Sequence, residues 1–351
     1  MLKLKGGYAF KSEKFQDSGV PVVRISNLPQ NSYSVDLSDC VYYECGNYQN
    51  YTVKNGDLLI AMSGATTGKT AIYRYDYPAY LNQRVGLFAP KELVHNQFLY
   101  PIVESKTFIS QLGSKLVAGA QPNISSQDIE TIAVGLPSKE EQIKIAHLFE
   151  LLNQKIETQS KIIEEQETLL KSLADKLFLQ NNHSCQLSEL VNIEKGKQLN
   201  ADTLSETGDY YVMNGGITPS GYYSEYNVPA GAISISEGGN SCGYVQFNEK
   251  PFWSGGHCYS LQPKTTLVDY KYIYYYLKAK QADVMALRIG SGLPNIQKKD
   301  IEKFSISYPS LQSQKRIVKA LDALSGKIYT EKHLLEKYCQ QKSYLLSQMF
   351  I

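Results

Sequence analysis

The sequence predicts an α+β protein in which two mixed α/β modules are joined by two long antiparallel coiled-coil helices, the whole arranged as a pseudo-two-fold internal repeat. Three observations predict it. The first is repetition: Pro122-Asn123-Ile124 returns as Pro294-Asn295-Ile296, an offset of 172 residues. The same offset carries Asp128-Ile129-Glu130 onto Asp300-Ile301-Glu302 and Pro137-Ser138 onto Pro309-Ser310. It also carries Gln142, Ile145, Leu152, Lys155-Ile156 and Phe178 onto Gln314, Ile317, Leu324, Lys327-Ile328 and Phe350. The second is a long apolar seam of alternating 3,4 spacing in each copy. The third is a set of short strand-like runs, broken by glycine, ahead of each seam.

Taken in order, residues 1–137 form the first module. Asp57-Leu58-Leu59-Ile60-Ala61-Met62 follows the Asn55-Gly56 turn and has strand length. Residues 138–180 form the first helix, opened by a capping box between Ser138 and Glu141 directly after Pro137. Its pairing seam is Ile145, Phe149, Leu152, Ile156, Ile163, Leu170, Leu173 and Leu177, with Gln159 and Gln166 as polar members. Residues 181–309 form the second module. There Ala232-Ile233-Ser234-Ile235-Ser236 alternates as a strand and stops at Gly238-Gly239, and Tyr270–Ala279 reads as a helix. Residues 310–351 form the second helix, with the seam Ile317, Leu321, Leu324, Ile328, Leu335, Tyr338, Leu345 and Met349. Each helix of some 40 residues extends about 60 Å. One helix is net acidic and the other net basic, which suits pairing within the chain, with a module at each end.

Composition narrows the function classes. The chain has 351 residues, 42% of them hydrophobic, enough for two cores of ordinary size. No apolar run reaches the 18 residues of a membrane span, and the start Met1-Leu2-Lys3-Leu4-Lys5-Gly6 has no apolar core of a signal peptide, so a cytoplasmic protein without membrane contact is expected. Six cysteines include no Cys-x-x-Cys pair, so neither a disulfide framework nor a zinc site is expected. Net charge is only +2, so any nucleic-acid binding works through local patches and with basic partners.

Most candidate chemistry fails on spacing. Ser63-Gly64-Ala65-Thr66-Thr67-Gly68-Lys69-Thr70 approaches a P-loop, but three residues separate its glycines where four are needed, and Ser63 stands in place of the first. The five histidines (His95, His147, His183, His257, His333) have no metal-ligand spacing, and His257-Cys258 lacks the context of a nucleophile pair. No catalytic site is expected. Groups suited to reading DNA do occur. Of 27 tyrosines all but Tyr329, Tyr338 and Tyr344 lie in the modules, where they either stack on nucleotides or fill a β-rich core. Lys5-Gly6-Gly7-Tyr8-Ala9-Phe10-Lys11 and Lys195-Gly196-Lys197-Gln198 place basic groups among glycines. Asn82-Gln83-Arg84 and Asn214-Gly215-Gly216 add amide and guanidinium groups that read adenine and guanine edges.

Over essentially its whole length the chain resembles the specificity subunits of type I restriction-modification systems. The matching text runs Gly19-Val20-Pro21-Val22-Val23-Arg24-Ile25-Ser26-Asn27-Leu28, Gly56-Asp57 through Lys69, Asn82-Gln83-Arg84, and Leu136-Pro137-Ser138-Lys139-Glu140-Glu141-Gln142. In the second module it includes Asn214 through Tyr222, Phe252-Trp253-Ser254-Gly255 and Pro309-Ser310-Leu311-Gln312-Ser313-Gln314. The resemblance implies two target-recognition domains that each read half of a split double-stranded DNA site, and helices that act as a ruler. It implies two modification subunits that bring S-adenosylmethionine and methylate adenine, and restriction subunits that use ATP and Mg. The residues expected at DNA are Lys5, Tyr8, Lys11, Arg24, Ser63, Thr66, Thr67 and Lys69, with Asn82, Gln83 and Arg84, in the first module. In the second they are Lys195, Lys197, Asn214, Ser220, Tyr222, Tyr223, Asn240 and Ser241. Two other readings stand beside this one: a coiled-coil adaptor that binds no DNA, and a nuclease or NTPase built on the Gly64–Thr70 loop. The second copy has a lead-in, Gln186 through Ile193, ahead of Lys195-Gly196, whereas the first begins four residues before Lys5, so its opening strand is expected to be short.

Overall fold

Strands in both modules begin where β-branched and aromatic residues alternate, and end at glycine turns. The computed structural model describes residues 2–29, 33–116, 123–179, 183–290, 292 and 294–350. Met1, Pro122 of the repeated Pro-Asn-Ile, and the module boundary at 180–182 lie outside the described residues. The chain divides into two units, one built of Met1–Ile162 with Glu331–Ile351 and the other of Ile163–Thr330.

In the first unit a four-stranded antiparallel sheet has the order Leu2–Gly6, Val85–Pro90, Leu58–Ala61, Thr70–Ile72. A second sheet has the order Val41–Tyr43, Val20–Val23, Ala79–Leu81, Thr52–Val53, and its central pair is parallel. The opening strand is therefore not short: Leu2–Gly6 pairs over five residues with Pro90–Gly86. The full ladder forms because its partner strand, Val85–Pro90, is long enough to match every residue. Leu59, Ile60, Phe98, Leu99 and Phe108 are fully buried between the sheets and the helices that follow them.

The second unit repeats the plan. Val191–Lys195, Cys258–Pro263, Ala232–Ser236 and Val245–Asn248 form the same four-stranded sheet in the same order. Gly221–Tyr223, Tyr210–Met213 and Phe252–Ser254 form the second sheet, again with a parallel central pair, and Val228 bridges to Phe252 where the first unit has its fourth strand. The strands expected near Leu58–Ala61 and at Ala232–Ser236 form, as does the helix Tyr270–Ala279, capped by the Asp269 side chain. An additional ladder, Ser305–Tyr308 with His183–Gln186, exists in this unit.

The long helices span Lys139–Phe178 and Leu311–Met349. The Ser138 and Glu141 side chains cap the first helix reciprocally, as the sequence indicated. In the first unit Phe149 and Leu152 pack with Leu345 and Leu346, Lys155 sits over the Tyr338 ring, and the Gln159 amide donates to Glu331. In the second unit Leu170, Leu173, Ala174 and Leu177 join Ile317, Val318 and Leu321 in one core. Positions rise along one helix as they fall along the other, so the pairing is antiparallel. Ile145, Ile156, Ile163 and Ile328 are buried or half-buried on this seam, and Leu324 and Leu335 are half-buried. Met349 departs from the reading: it is exposed, and Leu346, Phe350 and Lys342 face inward instead. An α-helix drifts about 20° per heptad against a 3.5-residue repeat, and by the last turn that drift carries Met349 off the seam.

Two repeated glutamines hold each module on its helix. The buried Gln142 accepts the His95 N–H and donates to the carbonyls of Leu93 and Pro137. Gln314 accepts the Asp269 N–H and donates to Pro309. Glu150 takes both Arg74 guanidinium nitrogens at 2.9 and 3.1 Å, and its counterpart Asp322 takes Lys271 and the Tyr275 hydroxyl.

Candidate nucleic-acid interface

In each module three loops meet at one end of the main sheet, and glycine permits the approach. A Cβ on Gly7 would stand 2.1 Å from the Asn82 carbonyl, and one on Gly196 would stand 2.1 Å from the Gly255 carbonyl. The Lys-Gly text in each copy is thus a close backbone crossing that only glycine allows. It brings Tyr8 beside Asn82 and Gly196 against Gly255, while Lys5 pairs with Leu87 and Lys195 with Tyr259 on the strands that lead in.

In the first module the Met62 N–H donates to the Arg84 carbonyl, and the Arg84 guanidinium donates to Ser63 Oγ at 3.2 Å. Tyr8 bridges to Asn82, and Ser63 to Asn123. Tyr8 is partly exposed and lies against the rings of Tyr48 and Tyr51, each at 5.2 Å. Gln83 and Arg84 are exposed. The Ser63–Lys69 segment turns between two antiparallel strands, with Thr67 Oγ1 donating to the Gly64 carbonyl and the Gly68 N–H to Ala61. It runs into the strand Thr70–Ile72 and not into a helix, so no helix N-terminus stands behind it to hold phosphate. Thr66 Oγ1 and Arg24 Nε are buried without a hydrogen-bond partner. Two expected members stand apart. Lys69 lines a different groove with Tyr33, Glu104 and Lys342, and Lys11 is exposed at the start of the Ser12–Lys14 turn.

The second module builds the same frame with other side chains. The Glu237 N–H donates to the His257 carbonyl, the same backbone bond that Met62 makes to Arg84. Glu237 is only 4% exposed, yet Oε1 accepts Lys195 Nζ at 2.6 Å and the Tyr259 hydroxyl at 3.0 Å. Oε2 has no hydrogen-bond partner and lies 3.7 Å from His257 Nδ1. Burial, and then the Glu237 charge, push the Tyr259 phenol well above its ordinary range, so it stays a donor. Asn214 Oδ1 accepts the His257 N–H at 3.0 Å, and Gly215, with positive φ, packs against His257. Trp253 Nε1 donates to the Lys197 carbonyl and its ring meets Tyr223 edge-on at 5.2 Å. Tyr222 pairs in the second sheet, Ser220 and Asn240 are exposed, and the Ser241 carbonyl accepts within its own turn.

Glu237, His257 and Tyr259 were not among the residues expected at DNA. A lone acid placed directly before Gly238-Gly239 at a strand end was the available signal. Many tyrosines prove to be core: Tyr73 and Tyr272 are fully buried, and Tyr43 and Tyr80 pack with Phe10.

A family model described as the type I restriction modification DNA specificity domain matches residues 1–168 and again 181–337. The chain belongs to that specificity-domain family. Among curated specificity-family relatives, a putative type I specificity subunit of Mycoplasma pneumoniae is 34% identical over 152 residues, 43% of this chain and 40% of that protein. One of Mycoplasma genitalium is 28% identical over 191 residues, 51% of this chain and 49% of that protein. The chain thus matches about half the length, or less, of these two relatives. A putative type I restriction enzyme specificity subunit of Haemophilus influenzae is 23% identical, over 91% of both chains. The crystal structure of the type I system S subunit from M. genitalium superposes with a TM-score of 0.72 at 20% identity, covering 100% of this chain and 94% of that one. The specificity-domain fold is therefore shared across both modules and both helices.

Proposed function

We propose that this chain is the DNA-reading specificity subunit of a type I restriction-modification complex. Residues 1–137 and 181–309 act as target-recognition domains for two different halves of a bipartite site, and the helices 138–180 and 310–351 set the spacer between the halves. The chain itself carries no catalysis. Two modification subunits supply S-adenosylmethionine chemistry, restriction subunits supply ATP- and Mg-dependent cleavage, and the complex works in the cytoplasm.

The observation that carries this reading is the pair of equivalent loop clusters with opposite hydrogen-bonding character. The first presents Arg84 with Ser63 and Asn82, a donor-rich set suited to guanine O6 and N7. The second holds a carboxylate, Glu237, which accepts hydrogen bonds as a cytosine amino group would offer them. One scaffold with two different readers fits an asymmetric split site.

Mapping of methylated adenines in cells that express the chain with its modification subunits tests this. Arg84→Ala is expected to weaken or relax one half-site and Glu237→Gln only the other, each by about 1–3 kcal/mol per base contact. Deleting one heptad from each helix, residues 156–162 and 328–334, shortens the pair by about 10 Å, or about three base pairs at 3.4 Å each. The half-sites should stay and the spacer should shrink. Identical effects of both substitutions on both half-sites, or an unchanged spacer in a complex that still methylates, would refute the reading.

A further inference from the structure

A buried carboxylate with one oxygen left over needs a reason. The main chain at Glu237 is held from both sides: its N–H donates to the His257 carbonyl, and its own carbonyl accepts the Ile296 N–H and the Cys242 thiol. The direction of the carboxylate is fixed as well. Oε1 takes Lys195 Nζ at 2.6 Å and the Tyr259 hydroxyl at 3.0 Å. Oε2 is buried and has no hydrogen-bond partner among the described residues. An unpaired buried acceptor costs about 1–3 kcal/mol, and more when it is charged. The sheet itself does not require that cost, because Met62 holds the equivalent place in the first module.

The side chains around this carboxylate are much more open than it is. Glu237 is 4% exposed, whereas the Lys195 and His257 side chains are 55% and 63% exposed. Lys195 is bonded to Oε1, but His257 Nδ1 stands 3.7 Å from Oε2, too far for a hydrogen bond. The His257 backbone N–H is tied to Asn214, so the exposed imidazole changes rotamer without moving its loop.

On the reading of this module as a DNA reader, we propose that Glu237 reads the exocyclic amino group of a cytosine through Oε2 alone. Lys195 and Tyr259 are positioning residues that hold the carboxylate by its other oxygen, and His257 is the side chain that swings aside. The amino N–H supplies the donor that Oε2 lacks, whereas thymine would present O4, an acceptor, to a carboxylate.

The test uses the full chain with its modification subunits, and duplexes carrying the half-site that methylation mapping assigns to the second module. Each cytosine is replaced in turn by N4-methylcytosine, which still pairs but puts a methyl group in place of the free N4 hydrogen. Anisotropy of labelled DNA gives Kd for each duplex. At one position the modification should weaken wild-type binding by about ten-fold or more. Glu237→Gln should bind the two duplexes within about two-fold of each other, because Lys195 keeps the amide oxygen and turns the NH2 towards the base. Lys195→Met should shrink the wild-type ratio and Lys195→Arg should restore it, whereas a lysine that only touched phosphate would weaken both duplexes alike. His257→Ala should keep the ratio. The wild-type measurement decides even where a variant fails to fold. A mapped half-site without a C·G pair, no sensitive cytosine, or a ratio that survives Glu237→Gln or Lys195→Met overturns the proposal and leaves bipartite reading standing. If mapping finds no bipartite site at all, the proposed function fails first and takes this inference with it.

Discussion

Met62 and Glu237 stand at the same place in two copies of one sheet, each donating its N–H to the residue across the next loop, Arg84 or His257. One is a half-buried thioether, and the other is a buried carboxylate that gathers a lysine and a tyrosine. Strand order and register, including the parallel central pair, agree between the copies. The duplication thus preserves backbone geometry and attachment to the helices, while the loop ends are free to differ. Side chains that latch the modules to the helices recur in kind, as Gln142 and Gln314 do, whereas the side chains offered as readers differ in kind at equivalent places.

The comparison is broken most severely at the helix seam. Phe149 and Leu321, equivalent and wholly buried, each fill a core of their own unit. Phe149→Ala should cost about 3–5 kcal/mol and Leu321→Ala about 2–5 kcal/mol. Amide exchange should show the first loss in the first unit and the second in the second. Loss spread evenly through both units by either substitution would mean that they do not behave as separate cores.

Next comes a feature of one copy alone. Lys342 is buried, bonds Glu104 at 2.7 Å and sits over the Tyr33 ring. Burial pushes the Glu104 carboxyl up, and Lys342 draws it back. Lys342→Met strands that carboxylate and should cost about 3–5 kcal/mol by denaturant melt. Adding Glu104→Leu should restore most of the loss; a double variant no better than the single one contradicts this account.

The glutamine latches should behave alike. Gln142→Ala leaves the His95 N–H and the Leu93 and Pro137 carbonyls without these bonds, and Gln314→Ala the Asp269 N–H and the Pro309 carbonyl, at about 1–3 kcal/mol each. Unequal losses between them would show that the duplication does not extend to the module attachments.

Smallest are the exposed clamps. Lys271 and Asp322 are well hydrated, so Lys271→Ala should change stability by about 1 kcal/mol or less. The Arg74–Glu150 pair is more enclosed. Burial alone would raise the Glu150 carboxyl, but the Arg74 bonds and charge outweigh it and hold it below its ordinary 4.5. A carboxyl lowered on folding adds stability above the unfolded value, and that stability is lost as pH falls through the folded one. The first unit should therefore lose this support below about pH 4.5, and Glu150→Gln should abolish that part of the pH dependence.

Much of the architecture was legible because it rests on local periodicity. The two seams, the Ser138–Glu141 cap and the strands near Leu58 and Ala232 follow from residues close in sequence, and the repeat at an offset of 172 is read by matching identical text. Met349 was misplaced because a strict heptad ignores the drift of a real helix. The Glu237 cluster was invisible for another reason. Lys195, Glu237, His257 and Tyr259 lie on separate strands and loops that meet only through a crossed sheet order. Lys11 and Lys69 show the converse, since basic residues near a glycine motif need not join the group it assembles.

The division of the chain also has a consequence for its birth on the ribosome. The second unit is one continuous stretch, Ile163–Thr330, whereas the first needs both Met1–Ile162 and Glu331–Ile351. At about 5–20 residues per second, the earlier-made portion waits on the order of ten seconds or more for the helix that covers it. During that interval Phe149 and Leu152 have no Leu346 to meet, and the nascent polypeptide exposes them. The half translated later is thus the first able to mature, and the half translated first is the one in greater need of a chaperone.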